Sequence, residues 1–236
     1  MTGPTVAGVH RNRLLDHLSQ EDAALIDTHL KPVAIARRTL IEAPQRRIEH
    51  VTFIERGIAS VVAGGGSAAP VEVGLIGCEG LAGLATLLGE SCSPHAIYMQ
   101  IPGGGQRIAA AVLAEAADRS RTLQKTLLKF VHAFMTQLAY TAVANARATL
   151  EQRLARWILM AHDRIEGNDI ALTHELLALM MGARRPGVTE AMHALTGHGL
   201  VRARRGLITV VDRRGLQSLA GRFYGAPEAE YDRLLG

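Results

Sequence analysis

The side chains that could do chemistry crowd the end of the chain. Between Leu172 and Tyr224 stand Arg184, Arg185, Arg202, Arg204, Arg205, Arg213, Arg214 and Arg222, against only Glu175, Glu190 and Asp212. That surplus of five exceeds the formal charge of +4 carried by all 236 residues, so the rest of the chain is slightly acidic. Every cation of the stretch is arginine, whose planar fork fits phosphate oxygens or a guanine edge better than a lysine point charge does. A polyanion is the expected partner of this segment. Catalytic patterns fail on inspection. His174-Glu175 opens a zinc-protease HExxH, but Ala178 stands where the second histidine must be. Gly89-Glu-Ser91-Cys-Ser93 lacks the final glycine of a nucleophile elbow, and Gly103-Gly-Gly-Gln106 lacks the Lys-Ser/Thr of a phosphate loop and reads better as a hairpin. No enzyme is expected. Cys78 and Cys92, the two cysteines, are too far apart for a CxxC zinc pair and too few for a disulfide framework.

The elements that must position the arginines follow from caps and breakers. Thr173 is a good N-cap, Leu176, Leu177 and Met180 give an apolar face, and Gly182 permits a tight turn. Arg184-Arg185-Pro186 starts a second helix: proline suits the first helical position and holds Arg185 extended just before it. Val188, Ala191, Met192 and Leu195 line one face of that helix and leave Gly187, Thr189, Glu190 and His193 towards the other. Leu200–Ala203 and Leu207–Val211 flank Arg204-Arg205-Gly206, a hairpin with arginines at its tip. Helix, turn, helix and hairpin in this order are a winged helix-turn-helix.

Upstream, residues 11–29 read as two short helices, the second started by Ser19-Gln-Glu-Asp22. Val51–Ile54, Ile58–Val62, Val71–Ile76 and Ala96–Ile101 are β-branched runs broken at Arg56-Gly57, Gly64-Gly65-Gly66, Gly77 and Gly103-Gly104-Gly105. Antiparallel strands in a roll or barrel are expected. From Leu113 the glycines stop, and Leu123, Leu127, Phe130, Phe134, Leu138 and Thr141 recur at steps of four and three, the mark of a long helix with one sticky stripe. Such a helix outruns a small roll, so this stripe is expected to hold a second copy of the chain. Thr149-Leu-Glu-Gln152 is a capping box that begins the next helix. The expected organisation is a roll with short leading helices over 11–112, a long dimerisation helix over 113–147, a winged helix-turn-helix over 148–224 and a tail over 225–236. The fold class is α+β. No run of eighteen apolar residues occurs and Met1 to Arg13 lacks the apolar core of a secretory signal, so a cytoplasmic protein without a membrane partner is expected.

From Leu172 to Leu195, and again over His198-Gly-Leu-Val and Arg205-Gly-Leu-Ile-Thr-Val-Val-Asp212, the chain resembles the DNA-binding domain of the Crp/Fnr superfamily. With the roll and long helix, the resemblance spans roughly residues 12–220. It implies a cyclic-nucleotide-binding-like roll, a homodimer built along the long helix, double-stranded DNA as partner, and RNA polymerase as a second partner if the protein activates. It also implies a recognition helix in the major groove, with Arg185, Thr189 and Glu190 as base readers and Thr173, Arg184, Gly187, Arg202, Arg204 and Arg205 on phosphates. Well-known members carry Arg at the position of Glu190 and Glu at that of Pro186, so the operator should differ from theirs. Gly77-Cys-Glu-Gly80-Leu-Ala-Gly83-Leu84 resembles the outline of the family's phosphate cassette. Nucleotide-binding members hold ribose with a Glu and phosphate with Arg-Ser/Thr, where this chain has Leu84 and Pro94-His95. The candidate pocket of Gly83, Leu84, Pro94 and His95 therefore takes another ligand or none, and no cofactor is expected. Haem is one alternative, since a carbon-monoxide-sensing member uses Cys and His, and Cys78, Cys92, His50 and His95 are the ligands on offer; others are a sensor of another small ligand, or a ligand- or protein-interaction module whose helix-turn-helix does not bind DNA.

Overall fold

The computed structural model describes residues 10–64 and 70–236; Gly65 and Gly66 of the expected turn, and Met1 to Val9, lie outside the described residues. The architecture is α+β, as expected. Helices α1 (Arg13–Asp16) and α2 (Gln20–Ala24) lead in, the latter capped by Ser19, which accepts from the Asp22 N–H. An antiparallel sheet follows, made of β1 (Lys31–Ile35), β2 (Leu40–Glu42), β3 (His50–Ala63), β4 (Val71–Ile76), β5 (Leu81–Ala82) and β6 (Ala96–Ala109). Its order is β1-β6-β3-β4, with β2 also on β6 and β5 on β3.

Two expected breaks are strand interior instead. Arg56-Gly57 lies within β3, whose register against β6 shifts around it, and Gly57 sits at φ +83°. Gly103-Gly104-Gly105 is no hairpin but the middle of β6, between β1 and β3. A Cβ on Gly103 would collide with the Arg56 carbonyl oxygen, and one on Gly105 with that of Phe53. Glycine in a strand marks such a close approach of backbones as readily as it marks a turn.

The long helical region is two helices: α4 (Ala110–Arg119) and α5 (Arg121–Arg147), separated at extended Ser120, which caps α5 by accepting from the Leu123 N–H. Leu123, Leu127, Phe130 and Phe134 are all buried in one protomer, in the core they share with β3, β6 and α4, and Leu138 packs against its edge. The stripe read as a dimer face is thus covered by the chain's own roll. Two glycines make the seat: a Cβ on Gly80 would come within 2.1 Å of Phe130 Cζ, and one on Gly74 within 2.8 Å of Phe134 Cζ. Gln137 completes the docking as a one-residue strand, its Oε1 accepting from the Leu75 N–H at 2.7 Å and its Nε2 donating to the Leu75 carbonyl at 3.1 Å.

Thr149 and Gln152 form the expected capping box of α6 (Leu150–His162). Beyond it come β7 (Asp169–Ile170), α7 (His174–Met180), α8 (Arg185–Gly197), β8 (Val201–Arg204), β9 (Leu207–Val210) and α9 (Arg213–Ala220). A second core under these elements also takes in Ile58, Leu75 and Ile101 of the roll. Polar contacts cross the same junction: Trp157 Nε1 donates to Glu72 Oε1 at 2.6 Å, and buried Arg164 meets Glu79 at 2.8 Å. The segment expected as a tail is a helix, α10 (Ala226–Leu235), which returns to α5 and the roll. Its Tyr231 and Leu235 belong to the first core, and the Tyr231 hydroxyl donates to the Glu79 carbonyl at 2.9 Å. No described helix is long and apolar enough to cross a membrane.

Gly80→Ala should overfill the Phe130 seat and cost about 1–3 kcal/mol of stability. Gly197→Ala, where a Cβ meets nothing within 4 Å, should leave the unfolding midpoint nearly unchanged. Equal midpoints for the two variants in urea would show that α5 is not seated through these glycines. Burial raises the Glu72 carboxyl from 4.5 to about 7, against the lowering effect of its bonds with Ser60 and Trp157. The native state therefore holds this proton more tightly, and the stability it contributes, full below about pH 4.5, is lost as pH rises towards 7. Glu72→Gln keeps an acceptor for Trp157 and should gain on wild type across that range in pH-dependent melts; parallel curves would refute the assignment.

Candidate nucleic-acid interface

Helix α7 begins at Thr173, whose hydroxyl accepts from the Leu176 N–H at 3.3 Å and keeps its own proton free to donate. The chain leaves α7 through Gly182 at φ +55°, and Arg184, at φ −76° and ψ 138°, is the extended residue before α8. Arg184 rather than Arg185 thus takes the cap position. Its carbonyl accepts the first helical bond, from Val188 at 3.2 Å, which brings Arg185 into the first turn ahead of Pro186.

Val188, Ala191, Met192 and Leu195 face the second core, as the helical period requires. Arg185, Glu190 and His193 are exposed on the other side. Thr189 is only half-exposed, and its hydroxyl lies 3.4 Å from His174 Nδ1. Burial, followed by the positive fields of His193 and Arg185, holds His174 below the ordinary histidine value. His193 lies one turn beyond Thr189 on α8, and His174 stands beside Thr189 from the first turn of α7. Of the two, only His193 was legible in the sequence, as exposed spacing on the second helix. Gly187 turns towards α6, where a Cβ would come 3.3 Å from Leu150, so its N–H is the group it can offer outward.

The wing is a hairpin closed by Arg205-Gly206, with Gly206 at φ +75°. Arg204 belongs to β8 rather than to the turn. Arg202 and Arg204 alternate with the more buried Val201 and Ala203 and are therefore exposed on one face. A third strand, β7, pairs with β9 and stiffens the wing. A Cβ on Gly206 would lie 3.9 Å from Thr173 Cγ2, so the wing tip stands beside the start of α7. Thr173, Arg205, His174, Thr189 and Arg185 thereby fall on one continuous edge of the domain.

Among the described residues no carboxylate pairs with Arg184, Arg185, Arg202, Arg204 or Arg205. Arg213 is different: it donates to Asp163 at 2.6 Å and to the Tyr224 hydroxyl at 2.8 Å, so it ties α9 to α6 instead of serving a polyanion.

Of the four residues of the candidate pocket, Gly83 is buried and Leu84 half-buried. Gly83, at φ +107°, starts the four-residue helix α3 (Leu84–Leu87), whereas Pro94 and His95 are exposed ahead of β6. The Gly83 N–H is already engaged by the buried Glu42 carboxylate, which burial raises to about 7. Of the haem candidates, the Cys78 thiol is pushed up by burial and by Glu79, away from the thiolate a metal would need.

The fold defines a class of architecture: a roll, a long helix and a winged helix-turn-helix. Residues 152–219 match the family model of the Crp-like helix-turn-helix domain. Among solved structures, a putative Crp/Fnr-family transcriptional regulator from Eubacterium rectale is similar over 88% of this chain and 97% of its own, at TM-score 0.67 and 17% identity. FixK2 from Bradyrhizobium japonicum is similar over 81% of this chain and 98% of its own, at TM-score 0.70 and 15% identity. CLP of Xanthomonas campestris, a c-di-GMP-responsive global regulator, covers 81% and 99%, at TM-score 0.63 and 14% identity. A search of curated proteins finds no match. Residues 152–219 thus match a Crp-like helix-turn-helix domain, and the chain shares the fold of these solved structures.

Proposed function

We propose that the protein is a cytoplasmic regulator that binds an inverted-repeat DNA site as a homodimer, α8 in the major groove and the wing on flanking phosphate. The observation that carries this reading is the edge of unpaired arginines that α8 and the wing share. Arg185 and Glu190 are placed to read bases, guanine through a bidentate fork and cytosine N4 through a carboxylate. Thr189 assists, and Thr173, Arg184, Gly187, Arg202, Arg204 and Arg205 hold the backbone. RNA polymerase is a further partner if the protein activates. No catalytic step is assigned to any residue. Cyclic AMP is not the effector on this reading, because Glu42 already engages Gly83 and neither Leu84 nor Pro94 can replace a carboxylate or a guanidinium.

The second copy is assigned to the face of α5 that the roll leaves open. Leu128, Met135, Ala139, Ala142 and Ala146 are exposed and recur at steps of seven, four, three and four, opposite the buried stripe. Leu128 and Met135 are 38% and 61% exposed in the single chain. The helix is about 40 Å long, enough to set two recognition helices roughly 34 Å apart on one side of DNA.

Leu128→Glu with Met135→Glu should give a folded monomer with weak operator binding, read by sedimentation and gel shift. A variant that stays dimeric would move the interface elsewhere. For the reading face, DNA selected from a random pool supplies the site, and Arg185→Ala and Glu190→Ala should each cost on the order of 1–3 kcal/mol and relax one position per half-site, with no effect of millimolar cAMP. Arg205→Ala should weaken all sequences alike and lower the salt slope by about one. An unchanged consensus in both Arg185→Ala and Glu190→Ala would rule out base reading by α8 as drawn.

A further inference from the structure

The roll and helix α7 line an open cleft of about 600 Å³, within the range of small-molecule sites. Its lining is mainly apolar. From α7 come Leu176, Leu179 and Met180, and from the sheet come Val62 and Tyr98. Leu179 and Tyr98 are large apolar side chains left 46% and 39% exposed, which a solvated surface alone does not reward.

Two polar features break the apolar wall. On the floor, Gln100 is 6% exposed, and its Nε2 has no partner. Its Oε1 bonds to the Ser60 hydroxyl, which also meets Glu72 Oε2. One hydroxyl proton cannot serve both oxygens, so Glu72 supplies the other as a neutral acid. That orients a chain from Trp157 through Glu72 and Ser60 to Gln100 and leaves the amide donor over. A buried donor without an acceptor is costly, and a ligand oxygen would satisfy it. At the rim, Arg37 is committed to the Ala171 carbonyl at 2.9 Å, but Arg38 has no carboxylate partner among the described residues. Arg38 is one of two non-glycine residues at positive φ among the described residues, +66°, and its N–H donates to the Met99 carbonyl at 2.7 Å, so its backbone is fixed against the cavity wall.

From this cavity, its orphan amide and its unpaired guanidinium, we infer a binding site for an elongated apolar monocarboxylate, bound between the roll and the first helix of the helix-turn-helix. The apolar body lies along Leu176, Leu179 and Met180, and the carboxylate takes the Arg38 guanidinium or the Gln100 amide. A single free cation suits one carboxylate, and a polyphosphate would find too few donors here. One wall is α7 itself, so occupancy presses directly on the domain that carries α8. That regulatory consequence rests on the DNA-binding reading above; the binding site does not.

The test is calorimetric titration of the full chain with decanoate below its micelle-forming range, with decanol and butyrate as comparison probes. Decanoate should bind saturably at one per chain, and decanol and butyrate should each bind at least about tenfold more weakly, as loss of one charged contact or most of the apolar body requires. Arg38→Asn, which tolerates the positive φ, and Leu179→Glu, which adds a repelling charge to the wall, should each weaken decanoate about tenfold at unchanged unfolding midpoints. Absence of saturable binding, decanol bound as tightly as decanoate, or affinity unchanged in both variants would overturn the site. Gel shifts run in parallel separate the two readings. Decanoate binding without DNA binding would retain the site and remove the operator assignment, and DNA binding without decanoate binding would do the reverse.

Discussion

The structure depends on how one helix is seated. Phe130 and Phe134 lie where Gly80 and Gly74 leave no side chain, and Gln137 pairs with both backbone groups of Leu75 between them. A floor of glycines lets the α5 backbone approach the sheet closely enough for an amide side chain to act as the next strand. Everything beyond α5 is built from this placement. It sets which side of the helix stays open, the direction in which α6 leaves at Thr149, and the groove in which α10 lies.

The two cores are not independent bodies. Ile58, Leu75 and Ile101 extend from the roll into the core of the helix-turn-helix, and the Trp157–Glu72 and Arg164–Glu79 contacts run beside them. Because these groups are buried, removing either partner would leave a polar atom or a charge without compensation. A change in the roll is thus transmitted by packed side chains rather than through a linker. Burial raises the interfacial carboxyl of Glu72 to about 7, so this joint keeps a proton well above the pH at which an exposed carboxyl would lose it.

Much of this was written plainly in the residues. The helix-turn-helix declared itself because its boundaries are local chemistry: the Thr173 cap, the Gly182 turn, Pro186 in the first turn and a two-residue loop at Arg205-Gly206. Even there the cap fell on Arg184, one residue from its expected place, since cap and first turn differ only in backbone angles. Periodicity reported correctly that Leu123, Leu127, Phe130 and Phe134 are covered. It could not report by what, because a stripe records burial and not the identity of the partner. Gly103-Gly104-Gly105 failed for the same kind of reason: the absence of a Cβ serves a turn and a crowded strand equally. The break before α5 had a local signal, Ser120 three residues ahead of Leu123, that a continuous apolar rhythm concealed. Helix α10 had one too, in Gly225, Pro227 and Glu228. The convergence of Thr173 with Gly206, and of Tyr231 with Glu79, joins positions far apart in the chain and lies beyond any local rule.

The return of α10 to the roll has a consequence for the order in which the molecule is made. The first core is filled by residues up to Phe134 and then, after the whole helix-turn-helix, by Tyr231 and Leu235. At the usual pace of synthesis, about 5–20 residues per second, α10 leaves the ribosome several seconds after α5. During that interval the Phe130 side of α5 and the Glu79 carbonyl stand partly uncovered. The nascent roll is therefore a folding unit that waits for a piece of itself, and the helix-turn-helix domain must form while its neighbour is still incomplete. Final consolidation of the two halves is one event, sealed by a helix that is synthesised after both.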